Sequence, residues 1–165
     1  MSRCTFFAVS LFLAAAPAGW AQDPGARGAA APRAVMDGQP VVMPAAELKW
    51  IDLDPTGAPG VRLAPLWGDF TTGAFGALMR LPAGFSSPLH RHTHAMRVVF
   101  ITGTYIQAPE GKPEFRLGPG SYLLQPGGDY RHRTACDKAA ECIFMVTSDG
   151  PFDLHVEEGK SAGRE

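Results

Sequence analysis

No stretch of this chain is apolar for the roughly 20 residues that a membrane-spanning helix needs. The longest apolar run covers residues 5–18, follows Arg3 and stands at the start of the chain. With Gly19 and Ala21 at the two positions a signal peptidase reads, it is expected to be a secretory signal over residues 1–21, removed on export to the periplasm or beyond. Helical signals are also missing: past that run, no segment carries a sustained 3.6-residue period with caps at both ends. No internal repeat is visible. Charge of one sign is lacking too, with 15 Lys and Arg against 16 Asp and Glu, scattered along the chain rather than bunched. A nucleic-acid partner is therefore not expected, nor is a stable membrane anchor. Cysteine is scarce, at three residues, and Cys4 leaves with the signal. In an oxidising compartment Cys136 and Cys142 then read as a bridge, worth about 2 kcal/mol for so small a loop. The competing reading, a thiolate metal or redox pair, fits neither the zinc-knuckle nor the CxxC spacing.

What is present is enough apolar material for one core, at 45% hydrophobic residues. Residues 22–43 are rich in Ala, Gly and Pro and cannot bury enough surface to offset ordering, so they form a flexible arm; residues 158–165 form a disordered tail. Between them, residues 44–157 break into short apolar runs at 48–53, 61–67, 74–81, 96–107, 121–125 and 142–147. Turn residues bound each run, such as Pro82 and Gly84, Gly118 to Gly120, and Pro126 to Gly128. Closely spaced strands of this kind predict one all-β domain, and at this length a small jelly-roll barrel is the economical solution.

Chemistry concentrates in the segment His90, Arg91, His92, Thr93, His94. Residues two apart on a strand share a face, so at least two imidazoles can converge on one ion. Neutral imidazole suits zinc, iron, copper or nickel. The competing reading is an exposed histidine cluster on a loop. Gly84 stands six residues before His90, and an apolar strand from Met96 ends at Gly103.

These residues resemble the cupin superfamily. Its first motif reads glycine, five residues, HxH, three or four residues, glutamate, six residues, glycine, and Gly84, His90, His92 and Gly103 fall in register with it. Its second reads glycine, five residues, PxG, two residues, histidine. Gly120, Pro126 and Gly128 match, and His132 follows one residue late, with Arg131 at the expected position. The resemblance implies a cupin-type double-stranded β-helix and nominates His90, His92 and His132 as metal ligands. Met96 stands where the family's glutamate ligand would be, and His94 is a candidate replacement. A ligand set without carboxylate resembles the three-histidine cupins, including thiol and diketone dioxygenases, which bind iron. Zinc, manganese, copper and nickel remain alternatives, and Met96 is either a core side chain or a soft ligand that would favour copper.

Elsewhere the bland readings are preferred. Trp50 and Trp67 read as core aromatics, and the motif glycines as corners of the fold. Arg80, Arg97 and Arg131 could meet an anionic substrate if they point inward, but read as solvated or paired outside. Tyr105, Tyr122 and Tyr130 read first as packing, with Tyr130 of interest for its place two residues before His132. His155 reads as an ordinary strand residue. No general acid or base is identifiable. The resulting expectation is an exported metal-binding cupin, either a metal-dependent dioxygenase acting on a small molecule or a non-catalytic binding or sensing protein. A homodimer through exposed strand edges is expected as well.

Overall fold

A computed structural model describes residues 40–54 and 56–157; the expected signal, most of the arm and the tail lie outside the described residues. Among the described residues, eleven strands are arranged in two antiparallel sheets. The strands are β1 (Ile51–Asp52), β2 (Arg62–Gly68), β3 (Phe75–Leu81), β4 (His90–Arg91), β5 (Met96–Thr102), β6 (Tyr105–Pro109), β7 (Phe115–Leu117), β8 (Tyr122–Gln125), β9 (His132–Cys136), β10 (Cys142–Ser148) and β11 (His155–Val156). The first sheet runs β1-β2-β3-β10-β5-β8 and the second β11-β4-β9-β6-β7. Their ladders do not close into one hydrogen-bonded barrel. The architecture is a jelly-roll of two facing sheets, all-β as expected, with one three-residue 3-10 turn at Ala45–Glu47. No described helix is long and apolar enough to cross a membrane.

Alternation along each strand places the core between the sheets. Met96, Val98 and Phe100 of β5 point inward while Arg97, Val99 and Ile101 point out. In β10, Cys142, Phe144, Val146 and Ser148 are inward. Phe100, Tyr105 and Phe144 pack with ring centroids 4.7 to 5.7 Å apart and fasten the two sheets together. Burying side chains of this size contributes about 2 to 3 kcal/mol each.

The apolar run 96–107 is two strands, β5 and β6, parted at the expected turn. Gly103 breaks it with φ +71, a conformation that residues bearing a Cβ rarely adopt, and a Cβ there would lie 2.4 Å from the Glu141 carbonyl oxygen. The reading of Trp67 as a core aromatic is corrected: its side chain is 38% exposed. A register shift between Pro65 and Trp67 sets it opposite Gly76, where the indole covers the position a Cβ would take. Trp50 is half-buried beneath the guanidinium of Arg80, 5.2 Å from the ring centroid. Cys136 and Cys142 form the expected disulfide, joining the end of β9 to the start of β10.

Candidate metal centre

The inner faces of the two sheets differ in chemistry. Sheet one presents mostly apolar residues, whereas β4, β9 and β6 of sheet two present His90, His132, Thr134, Tyr105 and Gln107, all buried. His90 and His132 are direct cross-strand partners between β4 and β9, so both imidazoles emerge on one face with centroids 4.3 Å apart. His92, just beyond β4, shares that face, with centroids 5.0 Å from His90 and 5.4 Å from His132. One ring nitrogen from each residue lies within 4.8 Å of the others.

Each ring is held through Nδ1. His90 Nδ1 donates to the Pro88 carbonyl at 2.9 Å, with the Ser87 hydroxyl at 3.2 Å. Ser87 is itself fixed, since its oxygen accepts from the Thr134 N–H at 2.9 Å. His92 Nδ1 donates to the Asp153 carbonyl at 2.5 Å, and His132 Nδ1 reaches the Tyr130 carbonyl at 3.4 Å. With Nδ1–H engaged by carbonyls, the Nε2 atoms keep their lone pairs for an ion. His132 Nε2 is buried without any partner, an arrangement that costs about 1 to 3 kcal/mol unless something fills the space.

Electrostatics agree with that geometry. Burial, then the neighbouring His90, pushes His92 down to about 4. Burial, followed by His90 and His92, pushes His132 down to about 3. Burial lowers His90 as well, against the opposing pull of the Pro88 carbonyl. All three are neutral at physiological pH, the state in which imidazole binds metal. Three buried, neutral, pre-oriented donors with one orphaned nitrogen fit a transition metal.

The chain matches, over residues 15–156, the family described as a domain of unknown function, DUF4437. It belongs to that family. No curated protein matches it. Among solved structures, the polyketide cyclase RemF from Streptomyces resistomycificus superposes with a TM-score of 0.62 at 15% identity, over 74% of this chain and 89% of that one. A protein of unknown function with a cupin-like fold from Ralstonia eutropha gives 0.57 at 19% identity, over 72% and 78%. An RmlC-like cupin from Shewanella frigidimarina gives 0.53 at 16%, over 68% and 92%. At such identities the likeness is one of fold, and this DUF4437 protein has the cupin fold.

The extra residue in the second motif is absorbed by the turn before β9. The Gly128 N–H donates to the His92 carbonyl at 2.9 Å, tying that turn to the histidine segment. His132 thereby begins β9 fully buried, while Arg131 points outward to Glu110 and Glu157. Arg80 and Arg97 are also outside, on Glu141 and Asp149. The structure does not bring His94 to the other three. Its ring lies on Gly150, where a Cβ would come within 2.5 Å of it. Met96 is buried among the core residues and lines the same cavity as His90 and His92. Tyr130 stacks on His132 with centroids 5.4 Å apart. His155 stands on the surface, bonded to Thr93 and Asp153.

In this DUF4437 chain His90 and His92 open onto a cavity of about 240 Å³ between the sheets, with His132 buried behind them. Val98, Phe144, Val146 and Phe152 give it an apolar body, and Ser87, Tyr105, Gln125 and Thr134 add polar groups. Sequence reading missed the contribution of Gln107, Gln125, Thr134 and the strap around Asp153. The available signal was polar residues at inward strand positions, as in Tyr105 and Gln107 of β6.

Proposed function

We propose that this protein is an exported, metal-dependent cupin enzyme in which His90, His92 and His132 hold one divalent transition metal beside a pocket for a small molecule. The convergence of three carbonyl-anchored imidazoles, with His132 Nε2 buried and unpartnered, carries this reading. Iron is the first candidate, ahead of zinc, manganese, copper and nickel. Such an ion would supply Lewis acidity and, as iron, dioxygen chemistry at positions that three protein ligands leave open. The chain's own residues orient the imidazoles through Pro88, Tyr130 and Asp153, exclude water with Phe152 and Phe144, and hold the Tyr105 proton. Burial raises the Tyr105 phenol to about 12 against the lowering effect of Thr134, so it stays protonated. Export is supported by the apolar N-terminal run and by a disulfide of the kind that persists in oxidising compartments.

Protein purified from cultures supplemented with each of the five metals is expected to carry one ion per chain, and His92→Ala none. Five empty preparations would sink the metal reading. Oxygen uptake by the iron-loaded form against panels of thiols, diketones and phenols then tests dioxygenase activity. Saturable binding without turnover in any panel would favour the binding protein.

A homodimer is part of this proposal. The edge strand β8 and its neighbour β5 expose Val99, Ile101, Tyr122 and Leu124 on one outward face, a patch that a second copy would cover.

A further inference from the structure

The cavity contains a buried hydrogen-bond chain that ends on an unused donor. Tyr105 Oη donates to Gln107 Oε1 at 3.2 Å and lies 2.8 Å from Thr134 Oγ1, which can donate to it in turn. Gln107 Nε2 then donates to Gln125 Oε1 at 3.5 Å. With both amides oriented by this chain, Gln125 Nε2 is the last donor, and it is buried with no partner at all. Gln125 is 2% exposed and lines the cavity, and no group of the described protein pairs with that N–H. A desolvated donor at the end of a polarised chain is costly unless a ligand satisfies it.

Charge narrows the ligand further. Among the described residues that line the cavity no Lys or Arg occurs, and the ionisable lining groups other than the histidines and Tyr105 are Asp52, Asp54 and Asp153. Of the arginines nearest in sequence to the site, Arg91, Arg97 and Arg131 are paired with Glu157, Asp149 and Glu110, and Arg133 is exposed on the outer face of β9. Apart from the ion that the three histidines would hold, no cation lines the cavity to offset a carboxylate or phosphate. The volume is below the roughly 300 to 1,000 Å³ of pockets that take drug-sized ligands.

We propose that Gln125 is the substrate-orienting residue of this cavity, donating through Nε2 to the oxygen of a small, uncharged, apolar-bodied carbonyl compound. This rests on the reading of the cavity as the substrate pocket, and extends it from a small molecule to a neutral ketone or aldehyde class. The apolar wall formed by Val98, Phe144 and Val146 holds the carbon body, while the chain from Thr134 through Tyr105 and Gln107 fixes the amide that receives the oxygen.

The test uses the purified chain stripped of metal, so that no ion competes for the oxygen, with acetophenone, ethylbenzene and benzoate as probes of matched size. Calorimetric titration is expected to show acetophenone binding about tenfold or more tighter than ethylbenzene, with benzoate weakest. Gln125→Leu should erase the gap between ketone and hydrocarbon while leaving ethylbenzene affinity and metal content as in the unaltered chain. In the unaltered chain, the Gln125 side-chain amide resonances should shift as acetophenone saturates, a readout independent of whether the variant folds. Equal affinity for ketone and hydrocarbon would overturn the proposal, as would benzoate binding as tightly as acetophenone or a gap that survives Gln125→Leu. A chain that prefers the ketone yet never retains metal would sink the metal reading alone. One that retains metal without the ketone preference would sink this inference alone.

Discussion

The three buried imidazoles make the metal-free protein sensitive to mild acid in a way that can be sized. An unfolded histidine titrates near 6.5, whereas the folded chain holds His92 at about 4 and His132 at about 3. Because the folded values are lower, the unfolded state binds more protons below 6.5, and stability falls as pH drops from there toward the folded values. Between pH 7.5 and 4.5 each of these two residues forfeits up to about 3 kcal/mol at 1.36 kcal/mol per pH unit. Their mutual repulsion is shared, so the combined loss is about 4 kcal/mol, a large part of a typical domain's stability. Asp69, Asp137 and Asp153 are held below their ordinary 3.8, so their contribution is present above that value and lost only below it. Urea unfolding of metal-free protein followed by tryptophan fluorescence at pH 7.5, 6.0 and 4.5 should show this loss. The double variant His92→Asn, His132→Asn, which keeps polar side chains but removes both titrating groups, should flatten most of the slope. A metal-free chain equally stable at pH 7.5 and 4.5, or a double variant with an undiminished slope, would refute the reasoning.

Other outcomes follow from single features. Reducing the Cys136–Cys142 bridge, or replacing both cysteines with serine, should lower unfolding stability by about 2 kcal/mol, read as a shift in urea midpoint. His94→Ala should leave metal content at the level of the unaltered chain, since its ring lies on Gly150; elemental analysis showing loss of metal would assign it to the site after all. Leu124→Glu on the outward face of β8 should convert a dimer to a monomer in light scattering, and a chain already monomeric before the substitution would remove the dimer from the proposal.

How much of this was legible in the sequence depended on whether side chains obeyed the apolar-inward rule. The run 142–147 is visible as a strand because its neighbours on both sides bury its alternate residues, and β10 sits between β3 and β5. Strand β9 obeys the opposite pattern, with His132 and Thr134 inward and Arg133 exposed, because it faces the site rather than the core. A reading built on hydrophobic runs passes over it, and passes over β7 because all three residues stand at the surface or half-exposed on an edge. Trp67 misled for a related reason: its apolar neighbours signal burial, but a register shift turned it over Gly76.

The histidines were recoverable for a different reason, which concerns spacing rather than hydrophobicity. Two motifs separated by a long stretch of chain predicted that His132 would join His90 and His92, and the β4·β9 pairing supplies the physical cause by setting His90 directly opposite His132. The one-residue delay did not matter, because the turn from Gly128 is bonded back to His92 and takes up the extra residue before the strand begins. What spacing could not convey was the polar chain from Thr134 to Gln125, since its members come from β9, β6 and β8 and meet only through the packing of the two sheets. A polar residue at an inward strand position is tolerated only where a partner satisfies it. In a fold whose core is otherwise apolar, Tyr105, Gln107, Gln125 and Thr134 are therefore interdependent, and Gln125, whose Nε2 lacks a partner within the protein, is the member that a ligand would complete.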